Sequence, residues 1–390
     1  MWLAREQQVE SRESVNAEKI TLVGPFAPYR GGIATHTTRL FEELDTRVSV
    51  NAEAYRNPFP KWLYPGKHPG DLKLHPDCMP NVHYDLSYHL PGAWGRVADR
   101  IIQNKSDAVI IPWWTFFYTP HYSYLCKRLR QHQIPVVFLC HNLFDHEAAR
   151  WKKWLSLKAL SNADAFIFHS PIEQDLAKKH FAQKPSLLFP HPLYDHLPIA
   201  PSQSLPDTPL RLLFFGIVRP YKGLEELISA IEQLNCEAVH LTVAGEWWGK
   251  QSALKQRCQK LSAIGRLTLI DSYVSDAKAA RLFSDCHAVV LPYRKATNSG
   301  VLALALQAQK PCIASRTGAL PLAVIDEETG YLVPPLDPDA LAAAILKLKQ
   351  ALADNKNFTP AIQSVSHKMS WQQFADELLG FIRSPSLIQR

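Results

Sequence analysis

Two cations, Arg219 and Lys222, lie in the short stretch Gly216-Ile217-Val218-Arg219-Pro220-Tyr221-Lys222-Gly223. The stretch joins an apolar run at 212–215 to a segment in which Leu224, Leu227, Ile228 and Ile231 recur at helical spacing. A strand, a turn and a helix in that order put the cations where free N–H groups and the helix dipole already favour an anion. That is phosphate-binding chemistry; a solvated turn with two surface charges is the plainer alternative. A second stretch of the same kind carries Arg294 and Lys295, then Thr297, Asn298 and Ser299, good capping types before the apolar helix that opens at Gly300 and Val301. Gly31 and Gly32 precede a helical pattern at 33–44, and a glycine pair there lets a backbone approach a ligand closely. This is not the spaced Gly-x-Gly-x-x-Gly of dinucleotide sites. His141 ends the apolar run 135–140, with both a donor and an acceptor nitrogen and an ordinary pKa near neutrality. A histidine bonded only to loop backbone fits that position equally well. Glu147, just behind it, is a second candidate for hydroxyl contact.

The elements that must position these residues alternate along the chain. Strands are expected at 20–23, 108–111, 135–140, 165–169 and 187–189, and helices at 33–44, 121–130, 148–163 and 173–181. Residues 197–209 are rich in proline and serine, lack periodicity and form the expected hinge between domains. Strand–helix alternation then restarts, with strands at 212–215, 239–244, 267–270, 288–291 and 310–315 and helices at 224–233, 251–261, 276–283, 300–308, 337–352 and 371–382. Residues 326–335 read as a hairpin-like excursion. Repeated βαβ units imply parallel sheets with helices on both faces, and ligands then sit at the carboxyl ends of the strands. Gly245 and Glu246 end one strand and Tyr273 and Val274 follow another, all on the edge expected for Lys222. Tyr273 either stacks a base or is buried against a helix. The proline-rich loop 57–70, which holds Lys61 and Trp62, reads equally as a lid, a loop that binds a second substrate or a plain surface excursion, and Pro112-Trp113-Trp114 follows the strand at 108–111. In the segment 148–163, Trp151 and Trp154 alternate with Lys152, Lys153 and Lys158, a pattern suited to a membrane interface; inward-packed aromatics with solvated lysines are the commoner outcome.

With 390 residues, 46% of them hydrophobic, there is material for two full cores. The leader 1–17 is polar and without periodicity, so it is expected to be loose and is not a secretory signal. The seven cysteines are scattered with no Cys-x-x-Cys pair, which points to a reducing, cytoplasmic setting without a zinc site. A formal charge of +7 suits nucleotides or an anionic membrane face, but lacks the dense basic stripe of a nucleic-acid binder.

The stretches PYRGGI at 28–33, His141-Asn142, GIVRPYKGL at 216–224, VAGE at 243–246, PYRKATNSGV at 292–301, KPCIASRTGALPL at 310–322 and ETGYLVPPLDPDALAAAI at 328–345 occur in order. Together they resemble the retaining, nucleotide-sugar-dependent glycosyltransferases of family 4, over about residues 18–385. The resemblance implies the α/β GT-B architecture: two Rossmann-like parallel-sheet domains facing a central cleft, and a C-terminal helix crossing back to the first. The expected divisions are a leader at 1–17, an acceptor-binding domain at 18–196, the hinge at 197–209, a nucleotide-sugar domain at 210–370 and a crossing helix and tail at 371–390. It implies that Gly31 and Gly32 lie beside the donor pyrophosphate and acceptor, that His141 contacts the donor sugar, and that Lys222 binds the donor phosphates with Arg219. It implies that Thr297, Asn298, Ser299, Gly300 and Val301 hold the sugar and diphosphate, and that the base lies against Tyr273, Val274, Gly245 and Glu246. Glu147, Trp62 and Trp113 are assigned to the acceptor.

The sequence departs from the family pattern in two places. Ile217 stands where an arginine commonly follows the strand glycine, and Ala296 and Leu304 stand where the family carries two glutamates. The implied chemistry is front-face transfer of a hexose from a UDP-sugar or GDP-mannose to a saccharide or lipid-linked acceptor, without a metal or other cofactor. His141 orients the sugar, the cations meet the leaving diphosphate, and the domains close about the hinge. Cell-surface polysaccharide or glycolipid synthesis at the cytoplasmic membrane face, with possible peripheral contact to anionic lipid and no nucleic-acid partner, is the implied setting. A sugar-nucleotide epimerase on the same fold and a non-catalytic nucleotide-sugar-binding subunit are the alternatives, the latter favoured by the missing glutamates.

Overall fold

The computed structural model describes residues 18–29, 31–57, 79, 81–144, 149–193, 209–234, 239–248, 251–296 and 299–388. Trp62, Glu147, Thr297, Asn298 and most of the 197–209 hinge lie outside the described residues, as does most of the 57–70 loop. The chain divides into two compact units. The first runs to Phe168 and takes in Gln174–Leu187 and the segment from Ala375 onward; the second comprises His169–Glu173 and Leu188–Phe374.

The first unit holds β1 (Lys19–Gly24), α1 (Gly32–Asp45), β2 (Ser49–Asn57), β3 (Val82–Ser87), α2 (Pro91–Gln103), β4 (Ala108–Trp113), α3 (Thr119–Arg130), β5 (Val136–Cys140), α4 (Arg150–Leu160), β6 (Ala165–Phe168), α5 (Pro171–Phe181) and β7 (Ser186–Leu188). The sheet order is β3-β2-β1-β4-β5-β6-β7, so the winding direction reverses between β1 and β4. Strands β4, β5 and β6 are buried at every position, which is why they read as unbroken apolar runs: helices cover both faces of a parallel sheet. The outer pair β2 and β3 and the helix α2 are additions to the elements expected from sequence. A buried ion pair ties two of them together, with the Arg100 guanidinium donating to Glu53 at 2.7 and 2.5 Å.

The second unit repeats the plan with β8 (Leu210–Phe215), α6 (Leu224–Gln233), β9 (Val239–Ala244), α7 (Ser252–Ala263), β10 (Leu267–Ile270), α8 (Asp276–Asp285), β11 (Ala288–Leu291), α9 (Gly300–Gln307), β12 (Cys312–Ser315) and β13 (Gly330–Val333). The order β10-β9-β8-β11-β12-β13 again reverses in the middle, between β8 and β11, and each of these pairs is parallel. The expected hairpin at 326–335 is instead a bend followed by β13, which pairs parallel with β12 at the sheet edge. The last helices are α10 (Pro338–Ala353), α11 (Thr359–Lys368), α12 (Trp371–Ile382) and α13 (Pro385–Ile388); α11 is a further addition. Helix α12 is shared between the units. Trp371 donates its indole N–H to the Leu193 carbonyl at 2.8 Å in the second, while Asp376 accepts from Arg47 at 3.0 Å in the first.

In helix α4 the expected inward packing of aromatics is overturned. Its buried face is Ser156, Ala159 and Leu160, whereas Trp151 and Trp154 are exposed.

Both reversal points are held open or closed by single glycines. Pairing of β1 with β4 ends at Leu22 with Ile110, and just beyond it Gly24 faces Pro112, whose ring carbon lies 2.7 Å from where a Cβ would be. In the second unit Gly223 has φ of +68°, a left-handed conformation, and a Cβ there would fall 1.8 Å from the Pro292 carbonyl oxygen. The turn after β8 and the turn after β11 thus touch through backbone. Gly223→Ala is expected to cost about 3 kcal/mol in urea unfolding, since the methyl must displace a backbone carbonyl as well as bear the left-handed strain. Gly265→Ala is the control: φ is +75° but nothing lies within 4 Å of the added carbon, so only about 1 kcal/mol is expected. Equal losses at both positions would mean that the Pro292 contact is not tight.

Candidate functional site

The second unit places Lys222 at its reversal point. A 3-10 turn at Pro220–Lys222 follows β8, and Gly223 then caps α6 without any side-chain hydrogen bond. Lys222 is only 9% exposed, and its Nζ lies 5.7 Å from the centre of the Tyr293 ring. Gly216, with φ of +94°, makes the room; a Cβ there would sit 3.0 Å from Nζ and 3.5 Å from the Val301 side chain. So the ammonium lies beside the first turn of α9. Ser299 caps that helix by accepting from the Leu302 N–H at 3.2 Å, and it also meets the Tyr293 hydroxyl at 3.3 Å. Among the described residues the Lys222 ammonium has no carboxylate partner. Desolvation, and then the nearby Arg219 charge, lower its pKa to about 8. A buried cation beside a helix N-terminus is a strong anion site, and two phosphates would supply the missing countercharge.

The other cations are spent differently. Arg219 is exposed and its guanidinium stacks over the Trp248 ring at 4.6 Å. Arg294, expected to help bind an anion, instead donates to Glu226 at 2.7 Å and to Glu225 at 2.8 Å, while its backbone N–H donates to the Tyr221 carbonyl at 2.8 Å. It latches the turn after β11 onto the start of α6. Glu225 and Glu226 neutralise it, so it adds little to the field at Lys222.

Along the same sheet edge, Gly245 packs so close that a Cβ would lie 2.2 Å from the Gly216 carbonyl oxygen. The Glu246 carbonyl accepts from Val218 at 2.8 Å. Tyr273 is 73% exposed, which removes the buried alternative and leaves its ring open on this edge; Val274 is buried against Ala244 and Ala279. Leu304 packs against that same small cluster, and Ala296 against the main core of the unit.

The first unit places Gly31 and Gly32 exposed at the start of α1, where Gly31 caps the helix with φ of 133° and no side-chain hydrogen bond. His141 follows β5, its backbone N–H donating to the Trp113 carbonyl at 2.9 Å. Its ring meets that of His36 edge to face, with centres 4.9 Å apart. His36 is buried on α1, four residues past Gly32, and no periodicity marks it; a polar side chain on the covered face of a helix was the available signal. Trp113 corrects an expectation. It is 1% exposed, stacks on Phe138 and donates its indole N–H to the Leu143 carbonyl at 3.3 Å, so it props the turn that carries His141 and cannot touch an acceptor. The strand simply continues through Pro112 to Trp113, paired with β5 throughout. Among the described residues no three His, Cys, Asp or Glu side chains converge as metal ligands.

Comparison with known proteins agrees with this geometry. Residues 30–188 match Glycosyltransferase Family 4, and residues 209–351 match Glycosyl transferases group 1. The GDP-mannose:glycolipid 4-beta-D-mannosyltransferase of Xanthomonas campestris pv. campestris is 27% identical over 53% of this chain and 56% of its own length. The chain thus spans about half the length of the curated relatives it matches. Among solved structures, the apo lipopolysaccharide outer core galactosyltransferase WaaB superposes with a TM-score of 0.67, at 14% identity, over 93% of this chain and 99% of that one. The complex of Anabaena Alr3699/HepE with UDP does so with a TM-score of 0.65, at 16% identity, over 93% and 99%. These structural likenesses are of fold. From the two matched halves, the two parallel sheets and the residues at their reversal points, the chain belongs to the family 4 glycosyltransferases of the GT-B fold.

Proposed function

We propose that this chain transfers a hexose from a nucleotide-diphosphate sugar to a saccharide or lipid-linked acceptor, with retention of anomeric configuration. The observation that carries the reading is the buried Lys222 ammonium, which has no carboxylate partner among the described residues and lies beside the α9 N-terminus. In this reading the second unit takes the nucleotide diphosphate, and the first supplies His141 and the glycine turn for sugar and acceptor. The bond between the anomeric carbon and the diphosphate oxygen lengthens first. Charge growing on the leaving phosphate is met by Lys222 and the first N–H groups of α9. The acceptor hydroxyl then attacks from the same face, and its proton passes to that phosphate oxygen. Arg219, held on Trp248, contributes field rather than a fixed contact. Tyr273 offers an aromatic face to the base. The relatives' names favour two donor classes: a GDP-mannose enzyme acting on glycolipid among sequence relatives, and a UDP complex among structural ones. A cytoplasmic setting on the membrane face, in surface glycan or glycolipid synthesis, follows from the same reading, as does catalysis without a metal.

Thermal melts with UDP, GDP and ADP test it directly. One nucleoside diphosphate is expected to raise the melting temperature, because a ligand that binds only the folded state stabilises it. Lys222→Ala is expected to weaken that binding about a hundredfold. Binding by none of the three would remove the donor assignment. Binding is also pH-dependent in a defined direction. The cationic form of Lys222 is the one that binds, and it is lost as pH rises through about 8. Affinity should be level below that value and fall by up to about tenfold per pH unit above it; Lys222→Arg should remove the inflection. His141→Ala is expected to lower turnover about a hundredfold while leaving nucleoside diphosphate affinity intact. Normal turnover in that variant would take His141 out of the reaction.

A further inference from the structure

We infer that helix α4 is a membrane-docking surface whose partner is an anionic lipid bilayer. Its eleven residues, Arg150–Leu160, contain four cations and no acid. Trp151 is 56% exposed and Trp154 60% exposed, two of the largest apolar side chains left in solvent by the described residues. Spaced by three, they project from one face of the helix, and Lys158 follows Trp154 by four on the same face. Monomeric proteins seldom leave paired indoles open without a partner.

Two of the four cations sit on the rings. Lys152 Nζ is 5.3 Å from the Phe116 ring and 5.7 Å from Trp151, and Lys158 Nζ is 5.3 Å from Trp154. Phe116 packs edge to face on Trp151, with centres 5.4 Å apart, and extends the aromatic patch. Indoles belong at headgroup depth, with an apolar body and a polar N–H, and the adjacent ammonium groups complement anionic headgroups. The charge selects this occupant. An apolar protein partner would leave four cations unpaired at its rim, whereas anionic lipid headgroups neutralise them.

The position of the helix gives the surface its use. In a parallel sheet the segment after each strand leaves from the carboxyl edge. Helix α4 follows β5, and Phe116 follows β4. The patch therefore borders the same edge of the first unit that carries Gly31, Gly32 and His141. A bilayer bound there would present the sugar end of a lipid-linked acceptor to that edge. This use rests on the proposed function; the binding itself is read without donor or acceptor.

The test is co-sedimentation of the full chain with phosphatidylcholine vesicles, with and without phosphatidylglycerol, at low and high salt. Binding is expected to the phosphatidylglycerol vesicles and to weaken with salt. Trp151→Ala/Trp154→Ala and Lys152→Ala/Lys153→Ala/Lys158→Ala are each expected to lower the partition coefficient tenfold or more, with the melting temperature and nucleoside diphosphate binding unchanged as the check on folding. Absence of wild-type binding to anionic vesicles at low salt, or unchanged partitioning of the tryptophan variant, overturns the inference. Either result leaves the donor assignment standing, since that is read by the nucleotide melts.

Discussion

An ammonium group removed from water without a countercharge is the constraint around which the second unit is arranged. Burial alone would favour the neutral amine, and the downward pKa of Lys222 records that tension. The tension is tolerable because the surroundings are built to be completed by an anion. Gly216 leaves a gap for Nζ, the Tyr293 ring face supports it, and the α9 N-terminus points the same partial charge at the same space. Each of these features is weak alone. Together they leave a buried cation beside a helix N-terminus, where the diphosphate of the proposed reaction would supply the countercharge.

The remaining cations show why that concentration survives. Arg294 lies close in sequence to the α9 cap, yet its charge is cancelled by Glu225 and Glu226, and it works as a brace between two turns. Gly223 allows those turns to touch through the Pro292 carbonyl. Arg219 is held on Trp248 and acts on Lys222 at a distance, lowering its pKa further. Lys222 is thus left without a carboxylate partner among the described residues, while Arg294 braces the turns beside it.

Legibility in the sequence followed burial. The strands β4, β5, β6, β8, β11 and β12 are covered on both faces or nearly so, and homogeneous apolar runs announce them. Strands β2 and β3, written SVNAEAYRN and VHYDLS, mix polar with apolar residues at the outer side of their sheet and carry no such run. Helix α2 begins with Pro91 and contains Gly92 and Gly95, which hide its period. The positions of Lys222 and His141 just past strand ends were legible because a strand end is marked by local sequence. His36 and Trp248 were not, because each matters through a partner brought up by the fold: the His141 ring for one, the Arg219 guanidinium for the other. Trp113 was misread for the opposite reason. An aromatic after a proline reads as a loop, but Gly24 leaves room for the Pro112 ring and the strand runs on.

The same logic accounts for the two positions where carboxylates are missing. Ala296 and Leu304 are absorbed into apolar packing, Leu304 against Ala244, Val274 and Ala279. A carboxylate at 304 would face that small apolar cluster, a place where an unpaired charge is costly. Recognition at this edge therefore cannot lean on carboxylate contacts from those positions. In the proposed reaction it falls on the cation and helix N–H groups for the phosphates and on exposed aromatic surface such as Tyr273 for the base. Charge recognises diphosphate strongly and sugar hydroxyls weakly. In the proposed reaction discrimination among sugars falls to other residues, and His36, buried on α1, bears on it only through the His141 ring that it meets edge to face.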